Sequence, residues 1–294
     1  MIMSKVADCR MAAFSPSAKI RVVQVEVTDS ARELERSHLC GPTAALIQAE
    51  ALAAVALLGA DLAGDDEAVT FGMKVSGPLG GLLVEAAADG GLRGYTQVKV
   101  LNELDAVEEL DTSAAMGESA NIQIVRSRPG KVINSGSVEV SPASVSRGLE
   151  LFYKQSLQRP VWVQTCALAY GAFIDSARGL MMECLPDGDG RRFARAEELF
   201  SDDTVLDCLE AAASLRTVCE TLGLDDCVFE EGRPLRFACR CSEERVQGMV
   251  AGLPAEDLRA MLAKNEPAQV FCHMCGKGYR VGTEYIAEVL GKRG

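Results

Sequence analysis

The chain has 294 residues, 48% of them hydrophobic, a formal net charge of −12 and eleven cysteines. That apolar fraction fills one large domain or two smaller ones and excludes disorder throughout, while the acidic balance opposes nonspecific binding to nucleic acid or to an anionic membrane. The opening MIMSKVADCRMAAFSPSAKI has no continuous apolar run behind Lys5 and does not read as a secretory signal, so a cytoplasmic location is expected, where thiols stay reduced.

In chain order, KIRVVQVEVTD (19–29) alternates and is rich in valine, which predicts a strand, followed by a helix to about residue 37. PTAALIQAEALAAVALLGADLA (42–63) is long enough to span a bilayer but carries Gln48, Glu50 and Asp61, so it reads as a buried, alanine-rich core helix. The runs AVTFGMKVSG, GGLLVEAA, LRGYTQVKVL and NIQIVRS read as strands between Gly/Asp/Pro turns, and RPGK (128–131) turns into a further strand, VINSGSVEV. Ser141 and Pro142 suggest the cap and first turn of a helix that places Val145, Leu149, Phe152 and Tyr153 on one face. PVWVQTCALAY and GLMMECL add two more strands. Many strands with few helices predict an α+β fold rather than a doubly wound one.

PDGDG (186–190) marks a domain boundary. Beyond it, RRFARAEELF and TVLDCLEAAASLRTVCETLGL each read as one helix, the second turning Val205, Leu206, Leu209, Ala213 and Leu222 to one side and setting Cys208 and Cys219 on a common face. Residues 197 to 231 hold eleven acidic side chains against one base, Arg216, a net −10 in this segment alone. The division is therefore 1–188, an α+β domain; 189–234, an acidic helical linker; and 235–294, a small C-terminal module. In that module Ser242 caps one helix, Pro254 opens another, QVFCHMCGKGYRV forms a hairpin and Thr283 caps a closing helix.

Cys239 and Cys241 form C-x-C in FACRCSEER, and thirty residues further on Cys272 and Cys275 form C-x-x-C in FCHMCGKGY, with Gly276 allowing a tight turn. Four thiolates brought together by folding suit a tetrahedral Zn²⁺, and the lack of other polar ligands points to a closed site with no position for hydrolysis. His273 reads as a neighbour of that site rather than a ligand. Cys9, Cys40, Cys166 and Cys184 read as small buried hydrophobes. Thiolates are what peroxide or hypochlorous acid attacks, so the same sulfurs can hold metal or become disulfides. A structural zinc contributes on the order of 10–16 kcal/mol to a small finger, so its loss is expected to unfold the last sixty residues. The acidic segment, self-repelling and dependent on packing, would then be released with its apolar face free to hold another protein's exposed hydrophobic parts.

FACRCSEERV, the thirty-residue gap and FCHMCGKGYRVGTEYIAEVL resemble the redox-regulated 33 kDa chaperonins, bacterial heat-shock holdases. GPLGGLLVEAAADGGLRGY (77–95), YKQSLQRP (153–160) and ARGLMMECLP (177–186) extend the resemblance over nearly the whole chain. It implies zinc, one per chain, on Cys239, Cys241, Cys272 and Cys275 in an inactive reduced form. It also implies disulfides Cys239–Cys241 and Cys272–Cys275 on oxidation, an unfolded linker, and a dimer that binds unfolding proteins without ATP and without enzymatic activity. Leu157, where the family usually has an acidic residue, and Arg178, within a usual Gly-Gly, depart from the pattern. Cys208, Cys219 and Cys227 are additional linker thiols open to other pairings.

Two other functions fit a cysteine-paired module. A zinc-ribbon nucleic-acid binder would need a basic face, yet residues 231 to 294 carry ten Lys/Arg against eight Asp/Glu and few aromatics. A thiol-disulfide oxidoreductase would place C-x-x-C at the start of a helix, not in a hairpin. No G-x-x-x-x-G-K-[ST] loop supports ATP-driven work, and neither a nucleic acid nor a membrane is expected as a partner.

Overall fold

Alternating apolar side chains build two sheets in the first of two units into which the chain divides, Met1–Ala238 and Cys239–Gly294. The structure, a computed structural model, describes residues 7–107 and 110–293. The first six residues of the stretch read as carrying no secretory signal lie outside it.

The first unit begins with β1 (Cys9–Ser15) and β2 (Ile20–Glu26), then α1 (Thr28–His38) and α2 (Pro42–Leu58). Next come β3 (Ala68–Val75), β4 (Gly81–Ala87), β5 (Gly91–Thr96), the short helices α3 (Asn102–Asp105) and α4 (Thr112–Met116), and β6 (Ala120–Arg128) with β7 (Lys131–Val140). After α5 (Val145–Phe152) the chain enters β8 (Val161–Tyr170) and β9 (Phe173–Cys184). The acidic segment supplies α6 (Gly190–Ser201), α7 (Thr204–Glu210) and α8 (Leu215–Thr221), followed by β10 (Val228–Phe229), β11 (Arg233–Pro234) and β12 (Arg236–Phe237).

One sheet has the order β10-β1-β2-β9-β8, with β11 also on β1; the other has the order β12-β5-β4-β3-β6-β7. All pairings in them are antiparallel except β12 on β5. Helix α2 packs against strands of both sheets. It is apolar all round because it has no solvent side, and nearly all its residues are buried in the protein's own core. The expected core helix is therefore present.

The acidic segment covers the other face of the first sheet. Ala196, Val205, Leu209, Leu215, Val218, Cys219, Leu222 and Leu224 form a second core with Ala13, Ala18, Ile20, Val22, Cys166, Leu180 and Met182. Its helices have 12, 7 and 7 residues, at or below the roughly 12–15 needed for a helix to persist alone. Their order depends on this docking.

Three sequence expectations need correction. The helix expected at Ser141–Pro142 begins at Val145, where Ser144 accepts a hydrogen bond from the Arg147 amide at 3.2 Å; the Ser141 hydroxyl instead donates to the Glu118 carbonyl at 3.0 Å. The single helix expected over 204–224 is two, broken where Ala212 takes a left-handed φ of 54° and Ser214 caps α8. Side chains of the sheet bond to carbonyls at this break: Gln24 donates to Ala213 O at 2.9 Å, and Arg178 to Leu209 O at 2.8 Å beside the Ala212 amide. Cys208 and Cys219 consequently lie on different helices. Lastly, Thr283 is the first helical residue of the closing helix and Gly282 the cap, without a side-chain bond.

The second unit contains α9 (Glu243–Ala251), α10 (Ala255–Lys264), the hairpin β13 (Ala268–Phe271) and β14 (Gly278–Val281), and α11 (Thr283–Gly291). Ser242 caps α9 as expected, accepting from the Arg245 amide at 3.3 Å. Its core is small: Val246, Val250, Leu258, Val281 and Ile286.

Candidate metal centre

The hairpin places Cys272 at the end of β13 and Cys275 in the turn before β14. The Gly276 amide donates to Cys272 O at 2.8 Å and the Cys272 amide to Lys277 O at 2.9 Å, folding the backbone into a knuckle. Gly276 sits at φ 71°, which a side chain would strain. Cys239 and Cys241 approach from the segment before α9, and the intervening Arg240 is exposed.

All four sulfurs lie within 4.8 Å of one another. Close contacts run between the two motifs, Cys239–Cys272 at 3.7 Å and Cys241–Cys275 at 3.4 Å. A tetrahedron of thiolates about 2.3 Å from zinc has edges of about 3.8 Å, so the donor set fits that ion in number, softness and spacing. A disulfide needs sulfurs about 2.05 Å apart. Cys275 is buried, and burial together with its crowded neighbours pushes its thiol well up. Four thiolates so close require a cation between them.

His273 beside the cluster is exposed, consistent with its reading as a neighbour. A residue that sequence reasoning passed over is Tyr279, whose hydroxyl donates to Cys241 Sγ at 3.0 Å, with Lys277 Nζ 5.1 Å from its ring. Its position on β14, four residues past Cys275, was the available signal.

Of the single cysteines read as buried, Cys166 is so, and burial with Glu210 and Glu50 nearby raises its thiol to about 12. Cys9, Cys40 and Cys184 are only half-buried: Cys9 opens β1, Cys184 closes β9 and Cys40 lies in the turn between α1 and α2. Of the two departures, Leu157 ends a π-helical turn, Tyr153–Leu157, packed against the main core. Arg178 on β9 binds Glu26 at 2.6 Å and reaches the Leu209 carbonyl, tying the sheet to α7.

A two-sheet α+β body and a separate small unit built around four clustered thiols define a class: proteins with a cysteine-gathered, metal-competent C-terminal module. Comparison with known proteins narrows it. The family model described as Hsp33 protein matches residues 8–282, and the chain belongs to the Hsp33 family. Relatives include the 33 kDa chaperonin of Oceanobacillus iheyensis, 25% identical over 96% of this chain and 99% of that one. That of Synechocystis sp. is 28% identical over 97% of each. The crystal structure of the 33 kDa chaperonin from Thermotoga maritima, 18% identical, covers 97% of this chain and 98% of its own with a TM-score of 0.87, a likeness of fold.

Proposed function

We propose that this chain is a chaperone of the holdase type, not an enzyme, that binds unfolding proteins in the cytoplasm and is switched by oxidation of Cys239, Cys241, Cys272 and Cys275. The observation that carries the reading is the gathering of four sulfurs within 4.8 Å in a unit whose own buried core is five apolar residues. One zinc ion, when bound, supplies the positive charge that keeps the four as thiolates. The sulfurs are then the nucleophiles an oxidant meets, and closing Cys239 with Cys241 and Cys272 with Cys275 removes all four ligands.

The module from residue 235 loses its main support in that event, and the linker 189–234 follows. Support for its release comes from its short helices and net −10 of residues 197–231, which leave it nothing but its docking on the first sheet. Undocked, it uncovers apolar side chains on itself and on the sheet, including Ile20, Val22, Leu180 and Met182, a surface suited to exposed hydrophobic segments of a client. The oxidised form is expected to be a homodimer. The hairpin setting of C-x-x-C, away from any helix start, disfavours the oxidoreductase reading.

The test pairs metal with function. Freshly reduced protein should contain one zinc per chain and leave a heat-labile client to aggregate; peroxide with mild heating should release the zinc and suppress the aggregation, and reductant should reverse both. Protein without stoichiometric zinc, or equal suppression by the zinc-loaded form, rejects the switch.

A further inference from the structure

The metal centre leaves unused a second pair of thiols, Cys219 and Cys227, in the segment docked on the first sheet. Helix α8 ends in a turn where Gly223, at φ 70°, donates to Glu220 O at 3.0 Å and Leu224 donates to Cys219 O at 2.9 Å. This closure reverses the chain and returns it along the helix. The returning strand is fixed at both sides of Cys227: Asp226 accepts from the Ser15 hydroxyl at 2.5 Å and the Ser17 amide at 2.8 Å, and Val228 pairs with Phe14 of β1.

Helix and strand then face each other in register. Arg216 and Cys219, three apart on α8, share a helix face, and Cys227 lies just before β10, two residues from Phe229. The Arg216 guanidinium lies 4.5 Å from the Phe229 ring centre. The Cys219 thiol meets that of Cys227 as the second rung, and both pack in the same apolar cluster.

We propose that Cys219 and Cys227 are a second redox site, at which a peroxide-class oxidant forms a disulfide that fastens α8 to the β10 edge of the first sheet. The half-buried Cys227 sulfur attacks peroxide, breaking the O–O bond and giving a sulfenic acid and water. Cys219 then displaces the hydroxyl from that sulfur; the S–S bond forms, the S–O bond breaks and a second water leaves with the thiol protons. Two thiols and one peroxide thus give one disulfide and two waters. Burial raises both thiols, so this pair reacts slowly and at higher oxidant dose. The bond itself rests only on the proximity described. Its consequence, that oxidation releases α6 and α7 while α8 stays on the sheet, rests on the function proposed above.

Arg216 is the sole Lys or Arg between residues 197 and 231, and trypsin spares the Arg233–Pro234 bond, so digestion isolates Thr217 to Arg236 with Cys219 and Cys227 as its only cysteines. After peroxide treatment that has already released zinc, this peptide from the full chain should lack two hydrogens and refuse alkylation after denaturation. Full alkylation of both cysteines, or a bridge from either to Cys208, overturns the site. In the native oxidised protein, cleavage at Arg216 should be several-fold slower than in Cys227→Ser; equal rates overturn the fastening. The peptide mass reads the bond whether or not the protein suppresses aggregation, so failure of the chaperone reading is seen separately.

Discussion

Arg178 shows how one side chain can couple a sheet to the segment laid over it. Its guanidinium pairs with Glu26, which also receives the Thr28 hydroxyl, and extends to the carbonyl of Leu209. Both members of the ion pair are largely buried, so removing the arginine strands a carboxylate away from water. Arg178→Ala should therefore cost about 3 kcal/mol in denaturant unfolding, and hydrogen exchange should show α7 losing protection before β9 does. At the metal centre, Cys275 is the buried member of the sulfur set. Cys275→Ser should abolish stoichiometric zinc, read by metal analysis, because a hydroxyl is a poor substitute for a thiolate on this ion.

The docked helices illustrate the next scale, since what holds them is one apolar face against one sheet. Leu209 is fully buried there. Leu209→Ala should cost about 3 kcal/mol through the lost contacts and the cavity left behind, with exchange accelerating across residues 190–224 and not in the strands beneath. A charge effect acts at the same surface. Glu50 of α2 opens onto a cavity of about 530 Å³ lined also by Glu150, Glu197 and Glu210, the last two from α6 and α7. Burial raises its carboxyl to about 7. The folded state then binds a proton that the unfolded chain has already released, so this group's contribution to stability declines as pH rises from about 4.5 to about 7 and is flat above. Glu50→Gln removes that decline. Its advantage over the parent chain, measured by thermal or urea melts, should grow by on the order of 2 kcal/mol between about pH 5 and about pH 8.

For the whole molecule, the two units differ in what their folding depends on. The first has two sheets closed around α2 and a large buried set; the second has five buried apolar residues and a sulfur cluster. Chelation of metal from the reduced protein should therefore remove the helical signal of α9 to α11 in circular dichroism while the strand signal stays. The single tryptophan gives a second readout. Trp162 on β8 stacks with Phe193 of α6 at 5.9 Å and lies 6.4 Å from Phe200, so release of α6 should shift its emission to the red. Chelation that unfolds neither the module nor this stack would break the proposed link between metal and linker.

The four cysteines were legible in the sequence because ligand spacing and a following glycine are local properties: the knuckle at 272–276 needs little beyond its own backbone. The core helix, most strands and the Ser242 cap were legible for the same reason, each resting on periodicity or on one side chain's reach to a nearby amide. Strand β1 was missed although it pairs locally with β2, and the two-residue strands β10, β11 and β12 were not legible because each is too short to carry a pattern and pairs with β1 or β5, far away in the chain. The break between α7 and α8 belongs with them, since Gln24 and Arg178 reach up from the sheet to bond carbonyls there. Sequence by itself determined which atoms can take a metal and which segment is too acidic and too short in its helices to stand alone. Tertiary structure decided how closely the sulfurs gather, what the acidic segment covers and which thiols face each other, because those depend on long-range contacts that no local pattern encodes.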